Sequence, residues 1–289
     1  MRDATTDGLL LVDKAAGMTS HDVVLAARRA VGESRIGHAG TLDPFATGLL
    51  VLLVGRATRL LPYLDGEPKV YDATIAFGRE TDTDDLHGAT TREADAPADD
   101  AISAAVGRLT GALEQVPPAY SAKRVAGRRA YHAARAGVAL ELPPVAVDVH
   151  EWRDVTREGN LLRATIECGG GTYIRALARD LGRLTGSAAH LAALRRVRSG
   201  AFRVEDAIDV DALRAGDAML RPTLDALPTL PRVALAASDA ERVLRGIAVP
   251  RTDAAARAAL VDSRSGALIA LAEGIGQTWQ PRVVMRKVD

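Results

Sequence analysis

The sequence predicts an α+β protein with a small β-rich module at its C-terminal end. Three observations lead there. Apolar stretches of strand length, such as residues 49–54 (LLVLLV) and 69–77 (KVYDATIAF), intermix with helical patterns but lack the βαβα rhythm of a parallel sheet. A glycine-rich stretch, GHAGTLDPFATG at 37–48, stands between a helical segment and one of those strands. Pro222, Pro228 and Pro231 then punctuate the chain ahead of several short strand patterns, which suggests a linker and a second module. The expected organisation is one domain over residues 1–230 and another over 231–289.

In chain order, residues 8–13 (GLLLVD) read as a short buried strand. Thr19 or Ser20 caps a helix that runs to Val31 with apolar residues at Val23, Val24 and Ala27, and Gly32 ends it. Residues 49–54 and 69–77 are strands, the second alternating as a half-buried one. The stretch 80–100 holds eight acids and a single arginine and is expected as an exposed loop. A helix is expected over 100–113. Residues 147–156 and 161–168 suit a hairpin around Glu158-Gly159-Asn160. An amphipathic helix is expected over 172–184 and a further one over 190–197. In the C-terminal module the pattern gives a short helix at 237–245 and strands at 258–261, 267–271 and 282–285.

The loop at 37–48 is the segment best suited to chemistry. Gly37, Gly40 and Gly48 permit sharp bends and close approach of a ligand. Pro44 biases Asp43 away from the helical region. Two readings of Asp43 stand: a carboxylate presented at a strand mouth, or an Asp-Pro turn with the side chain bound to its own backbone. Known glycine loops do not account for it. Gly32 to Gly37 has the frame of a phosphate loop, but His38 and Ala39 follow where Lys and Ser or Thr are needed. Gly169-Gly170-Gly171 completes no dinucleotide fingerprint.

Composition narrows the function further. A single cysteine, Cys168, excludes an internal disulfide framework and a cysteine-cluster zinc site. No apolar run approaches the roughly 18 residues needed to span a bilayer, and the first residues lack the apolar core of a signal peptide. The expectation is a cytoplasmic protein without metal or organic cofactor. Formal net charge is zero, from 37 basic and 37 acidic residues. The charges are segregated, however. Residues 116–140 carry five basic residues and no acid, and 171–200 carry six arginines against one acid. Such runs can build a basic face for a polyanion on a neutral molecule, or can simply be solvated helix surface.

The motifs occur together in an order of their own. LLLVDKAAGMTSHDVV is followed by GHAGTLDPFATG, KVYDATIAFGRETDTDD, QVPPAYSAKRVAGRRAY and CGGGTYIRALARDLG. In this the chain resembles the bacterial TruB family of tRNA pseudouridine-55 synthases over nearly its whole length. The loop match is highly specific, the TYIR segment moderately so, and the C-terminal match is weak. The resemblance implies a pseudouridine-synthase fold, with a mixed, mainly antiparallel central sheet flanked by helices and loops, plus a PUA-like RNA-binding domain at the C-terminus. It implies isomerisation of the T-loop uridine at tRNA position 55, without cofactor, by an enzyme that also assists tRNA folding. From the sequence itself, which shows no appended interaction segment, a monomer without an obligate protein partner is expected.

It also implies roles for individual residues. Asp43 matches the catalytic Asp of the family. Tyr71 matches the aromatic that packs on a flipped uracil and can serve as a base, although an aromatic in an alternating strand is also an ordinary core residue. Arg175 matches the arginine partnered with the catalytic Asp, and a phosphate contact is the competing reading. His38 matches the residue filling the space left by the flipped base. Lys14, Tyr173 and Leu194 match positions that line or support the uracil pocket. Lys123, Arg124, Arg128 and Arg129 would then meet the phosphate backbone. One departure is Gly169-Gly170-Gly171, where family members often carry a basic residue before GTY. Two other classes remain beside the isomerase: an RNA-folding module with a vestigial loop, and a glycoside-cleaving enzyme. The last would want a second carboxylate near Asp43, and the sequence offers none there.

Overall fold

The computed structural model describes residues 6–120, 142–251 and 253–285, together with the backbone of 124–125 and 128–129. The chain divides into two compact units, one of residues 1–44, 48–66 and 201–289, the other of 45–47 and 67–200.

The first unit begins with β1 (Gly8–Lys14), α1 (Ser20–Val31), β2 (Ile36–Ala39) and β3 (Thr47–Val54). β1 and β2 both run antiparallel to β3. α1 starts where its sequence says it should. Thr19 Oγ1 accepts the Asp22 backbone N–H at 3.1 Å, and Asp22 Oδ2 accepts the Thr19 N–H at 2.9 Å. This reciprocal pair satisfies N–H groups that the first turn leaves without helical partners. Gly32 ends the helix in the left-handed region at φ +68°. Val23, Val24 and Ala27 of α1 are buried against Leu10, Val12, Leu50, Leu52 and Val54 of the sheet. Each fully buried Val or Leu contributes about 1.5–3 kcal/mol, so this face holds the helix in place.

The second unit carries β4 (Lys69–Phe77), β5 (Arg79–Thr81), β6 (Thr90–Glu93), α2 (Asp99–Arg108) and β7 (Gly111–Gln115), then the short strands β8 (Arg124–Val125) and β9 (Arg128–Arg129). β10 (Val145–Glu158), β11 (Leu161–Cys168), α3 (Ile174–Leu184) and β12 (Ala189–Ser199) follow. The strands β12-β4-β11-β10-β7 form one antiparallel array in that order. The 147–168 hairpin forms as expected.

Three expectations fail here for physical reasons. Residues 190–197 lie in strand β12, not a helix. Between Leu191 and Ala193, and again between Arg196 and Arg198, the register against β4 slips by a residue. A bulge between Leu191 and Leu194 lets both be buried at a spacing of three, which imitates a helical period. The helix expected over 100–113 stops at Arg108. Gly111, at φ +91°, turns the chain into β7, so Leu113 continues the apolar spacing on a strand opposite Val147.

The acidic stretch is the third. β5 and β6 pair within it, and Glu80, Asp84 and Asp85 are buried. Their partners are the arginines of α3, at i, i+4 and i+8 on one helix face. Arg179 Nη1 lies 2.8 Å from Asp84 Oδ2, Arg175 Nη1 3.8 Å from Asp85 Oδ2, and Arg183 grips both carboxylate oxygens of Glu80. Part of the arginine run is therefore engaged in an acid–base ladder, with Arg175 and Arg179 buried and Arg183 reaching Glu80 from the surface.

The remainder of the first unit comprises β13 (Phe202–Arg203), β14 (Ile208–Asp209), α4 (Val210–Ala215), β15 (Arg232–Leu235), α5 (Ala237–Leu244), β16 (Val249–Pro250), β17 (Arg257–Asp262), β18 (Leu268–Ile275) and β19 (Thr278–Val284). β14 adds to β1 in parallel, so the sheet of this unit is mixed. The proline-punctuated stretch is held down rather than loose. Leu9 and Arg221 exchange backbone hydrogen bonds at 3.0 and 2.8 Å, and Leu224, Ala226 and Leu227 are buried. β15-β17-β18-β19-β16 form a separate five-stranded sheet. Its own core gathers Leu235, Val243 of α5, Leu260 and the fully buried Trp279. Among the described residues no helix is long and apolar enough to cross a membrane.

Candidate active site

In the first unit the loop between β2 and β3 is held from both sides of Asp43. Gly40 and Gly48 take φ +79° and +101°, conformations that an L side chain rarely adopts. On the N-terminal side, the buried hydroxyl of Ser20 accepts the Leu42 N–H at 2.9 Å and donates to the Leu42 carbonyl at 3.2 Å. On the C-terminal side, Lys14 is fully buried. Its ammonium donates to the carbonyls of Ala15 at 3.0 Å, Met18 at 2.8 Å and Pro44 at 3.3 Å. Gly17 N–H adds a 2.8 Å bond to the same Pro44 carbonyl. The backbones flanking Asp43 are thus fixed, and Asp43 itself is partly exposed. A buried charge without oxygen partners would be costly, and these carbonyls are what make Lys14 tolerable inside.

His38 stands on β2 opposite Leu52 of β3, half-buried. The neighbouring Gly37 packs closely on Leu61, whose Cδ1 would lie 2.7 Å from a Cβ placed there and would have to move aside for it.

In the second unit, Tyr71 lies mid-strand on β4, buried, with Ile166 of β11 and Arg196 of β12 as its register partners. Directly opposed residues share a face of a sheet, so Tyr71, Ile166 and Arg196 point the same way. Leu194 is opposite Ala73, two residues along β4, and so joins that face, largely buried. Arg196 is 1% exposed and was not singled out in the sequence, where it was one of several arginines in a run. Burial, with the Arg196 guanidinium as a second cause, holds the Lys69 ammonium below the usual lysine range.

Arg175 occupies the first turn of α3, buried. Its Nη1 donates to the Thr83 carbonyl at 3.0 Å and its Nη2 to the Tyr120 carbonyl at 3.0 Å. Tyr173 is the N-cap residue of that helix. Its backbone is bracketed by Gln115, whose Oε1 accepts the Tyr173 N–H at 2.8 Å while Nε2 donates to the Tyr173 carbonyl at 3.1 Å. Gln115, like Ser20, works by tying a distant backbone to a site residue or its neighbour, which no local pattern announces. Cys168 is unsuited to nucleophilic work, since burial pushes its thiol up to about 11. Lys123 lies outside the described residues, as do the side chains of Arg124, Arg128 and Arg129. The backbones of these three arginines belong to the β8–β9 pair, with Arg124 opposite Arg129.

Comparison with known proteins agrees with this architecture. Residues 28–174 match the model of the TruB family pseudouridylate synthase N-terminal domain, and residues 175–233 that of the tRNA pseudouridylate synthase B C-terminal domain. The chain is 45% identical over 289 residues to the tRNA pseudouridine synthase B of Thermobifida fusca (strain YX), covering 96% of this chain and 98% of that protein. It is 52% identical over 212 residues to that of Mycobacterium avium (strain 104), covering 71% and 69%. Among solved structures, a Cbf5-Nop10-Gar1 complex aligns with TM-score 0.71 at 25% identity, over 97% of this chain and 85% of the matched one. An H/ACA RNP bound to a substrate RNA containing 2′-deoxyuridine matches in fold, with TM-score 0.71 at 22% identity over 96% and 85%. With more than half of its length matched by the family model and most of it by close relatives, the chain belongs to the TruB family of pseudouridylate synthases.

Proposed function

We propose that this protein isomerises the T-loop uridine of tRNA, position 55, to pseudouridine, with Asp43 as the catalytic carboxylate. The observation that carries the proposal is the double clamp around Asp43, which holds a partly exposed aspartate on a rigid loop in a chain of this family. Rigid placement matters because a small misplacement of a reacting group costs much of its effect.

In the reaction the N1–C1′ bond of the nucleotide breaks, the uracil turns over, and a C5–C1′ bond forms. The C5 proton passes to water and N1 regains a proton. No electrons enter or leave, and the carboxylate suffices as nucleophile at C1′ or as partner in removing the C2′ proton. The base must leave its stack first, and the aromatic ring of Tyr71 is the surface on which it would lie. By the family resemblance His38 would take the space the base vacates, Tyr173 and Leu194 would serve the uracil, and Arg175 would favour the ionised form of the catalytic carboxylate. Lys123, Arg124, Arg128 and Arg129 meet the RNA backbone. Residues 231–289 serve as the PUA-like RNA-binding domain, a role supported by the separate sheet and core of β15–β19.

The test is release of tritium to water from tRNA transcript labelled at uridine C5. Release by wild type that is lost in Asp43→Asn and kept in Asp239→Asn supports the proposal. Binding of tRNA by wild type without release would instead favour an RNA-folding module.

A further inference from the structure

We infer that Ser20 is a positioning residue for the reaction: its hydroxyl sets the height and orientation at which Asp43 meets the nucleotide. The inference rests on the catalytic reading of Asp43 given above.

Ser20 opens helix α1, 22 residues from Leu42, and is 3% exposed. A serine in a first helical turn ordinarily turns its hydroxyl to a nearby backbone N–H of its own helix. That duty is already discharged by Thr19, which caps α1 through Asp22. The Ser20 hydroxyl is therefore available for the loop, and it fills both hydrogen-bonding roles of one peptide residue there. It accepts from Leu42 N–H at 2.9 Å and donates to Leu42 O at 3.2 Å.

The consequence for Asp43 is geometric. Leu42 is buried at 3% exposure, so its polar backbone groups have no water to turn to. With Ser20 in place the Leu42 backbone has one satisfied orientation. Its rotation is carried directly into Asp43, whose other flank is fixed by Lys14 and Gly17 at the Pro44 carbonyl. Removing the hydroxyl leaves an N–H and a C=O that the loop can satisfy only by turning, and Asp43 turns with it. Helix α1 itself retains its cap and its apolar face. Some stability is lost with these two buried bonds, but the protein still folds and holds RNA, and the main effect falls on where the carboxylate points.

The experiment compares wild type, Ser20→Ala, Ser20→Thr and Asp43→Asn. Each is assayed for single-turnover tritium release from C5-labelled tRNA transcript, for tRNA Kd by filter binding, and for melting temperature. Ser20→Ala is expected to lower the single-turnover rate at least tenfold with the tRNA Kd within about twofold of wild type. Ser20→Thr, which keeps a hydroxyl on the same carbon, is expected to recover a large part of the rate. An Ala variant that reacts at the wild-type rate overturns the inference, as does one whose loss lies wholly in Kd. So does a Thr variant no faster than Ala while melting like wild type. Asp43→Asn reports separately: if it still releases tritium, the catalytic reading of Asp43 fails whatever Ser20 does.

Discussion

Asp84 offers the sharpest test of the buried ladder between α3 and the acidic segment. It is 5% exposed, takes φ +59° and lies 2.8 Å from Arg179. Burial disfavours its charged form more than Arg179 and Arg175 favour it, so its carboxyl is pushed up to about 6 from 3.8. The native state therefore keeps this proton over a range in which the unfolded chain has lost it. Stability from this group is greatest below about pH 4 and falls as pH rises through about 6. In full this preference for the protonated form corresponds to about 3 kcal/mol. Between pH 7 and pH 5 the part recovered is about 1 kcal/mol. Asp84→Asn removes the titration, keeps an oxygen for Arg179, and suits the left-handed backbone, which Asn tolerates. Urea unfolding followed by circular dichroism at both pH values gives the difference between wild type and variant. That difference should move toward wild type by about 1 kcal/mol on going from pH 7 to pH 5. Other groups titrate alike in both proteins and cancel. A difference that stays constant refutes the account of Asp84 as a carboxylate strained by burial.

Further predictions follow from the same contacts. Gly182→Ala should lower the melting temperature although alanine favours helices by about 1 kcal/mol. A Cβ at this position of α3 would lie 2.4 Å from the Ala189 nitrogen and 2.8 Å from the Ala188 carbonyl carbon, backbone atoms that cannot turn aside, and the net loss should be about 2 kcal/mol or more by thermal unfolding. Lys14→Met leaves the carbonyls of Ala15, Met18 and Pro44 without their ammonium. It should cost about 2–4 kcal/mol in urea unfolding and abolish tritium release, because the Asp43 loop loses one flank. Burial holds the His190 imidazole below its ordinary range, and its Nδ1 sits 3.0 Å from the Arg79 carbonyl. A depressed folded value means that the stability from this group is present above about pH 6.5 and is lost as pH falls below it. His190→Gln should therefore flatten the urea-unfolding profile in that range.

Local signals carried a good part of this protein. The Thr19 and Asp22 capping pair, Gly32, the alternation of residues 69–77 and the hairpin at 158–160 all act within a few residues, and each is legible in one dimension. The motif order likewise points to Asp43, Tyr71 and Arg175, since it depends only on residue types and their succession. Tertiary structure decided the rest because the deciding partner was distant. Residues 190–197 are a strand because β4 pairs with them and two register slips absorb their odd spacing. The arginines of α3 form a ladder, two of its three rungs buried, because acids about a hundred residues earlier fold onto them, and charge counted along a chain does not reveal which charges meet. Ser20 and Gln115 had no signal at all, for a hydroxyl or amide that braces a remote peptide looks in sequence like any other. The sequence by itself pointed to Asp43 through its motif; only the folded chain determined what holds the backbone beside it, since hydrogen bonds between residues far apart in the chain exist only after it has folded.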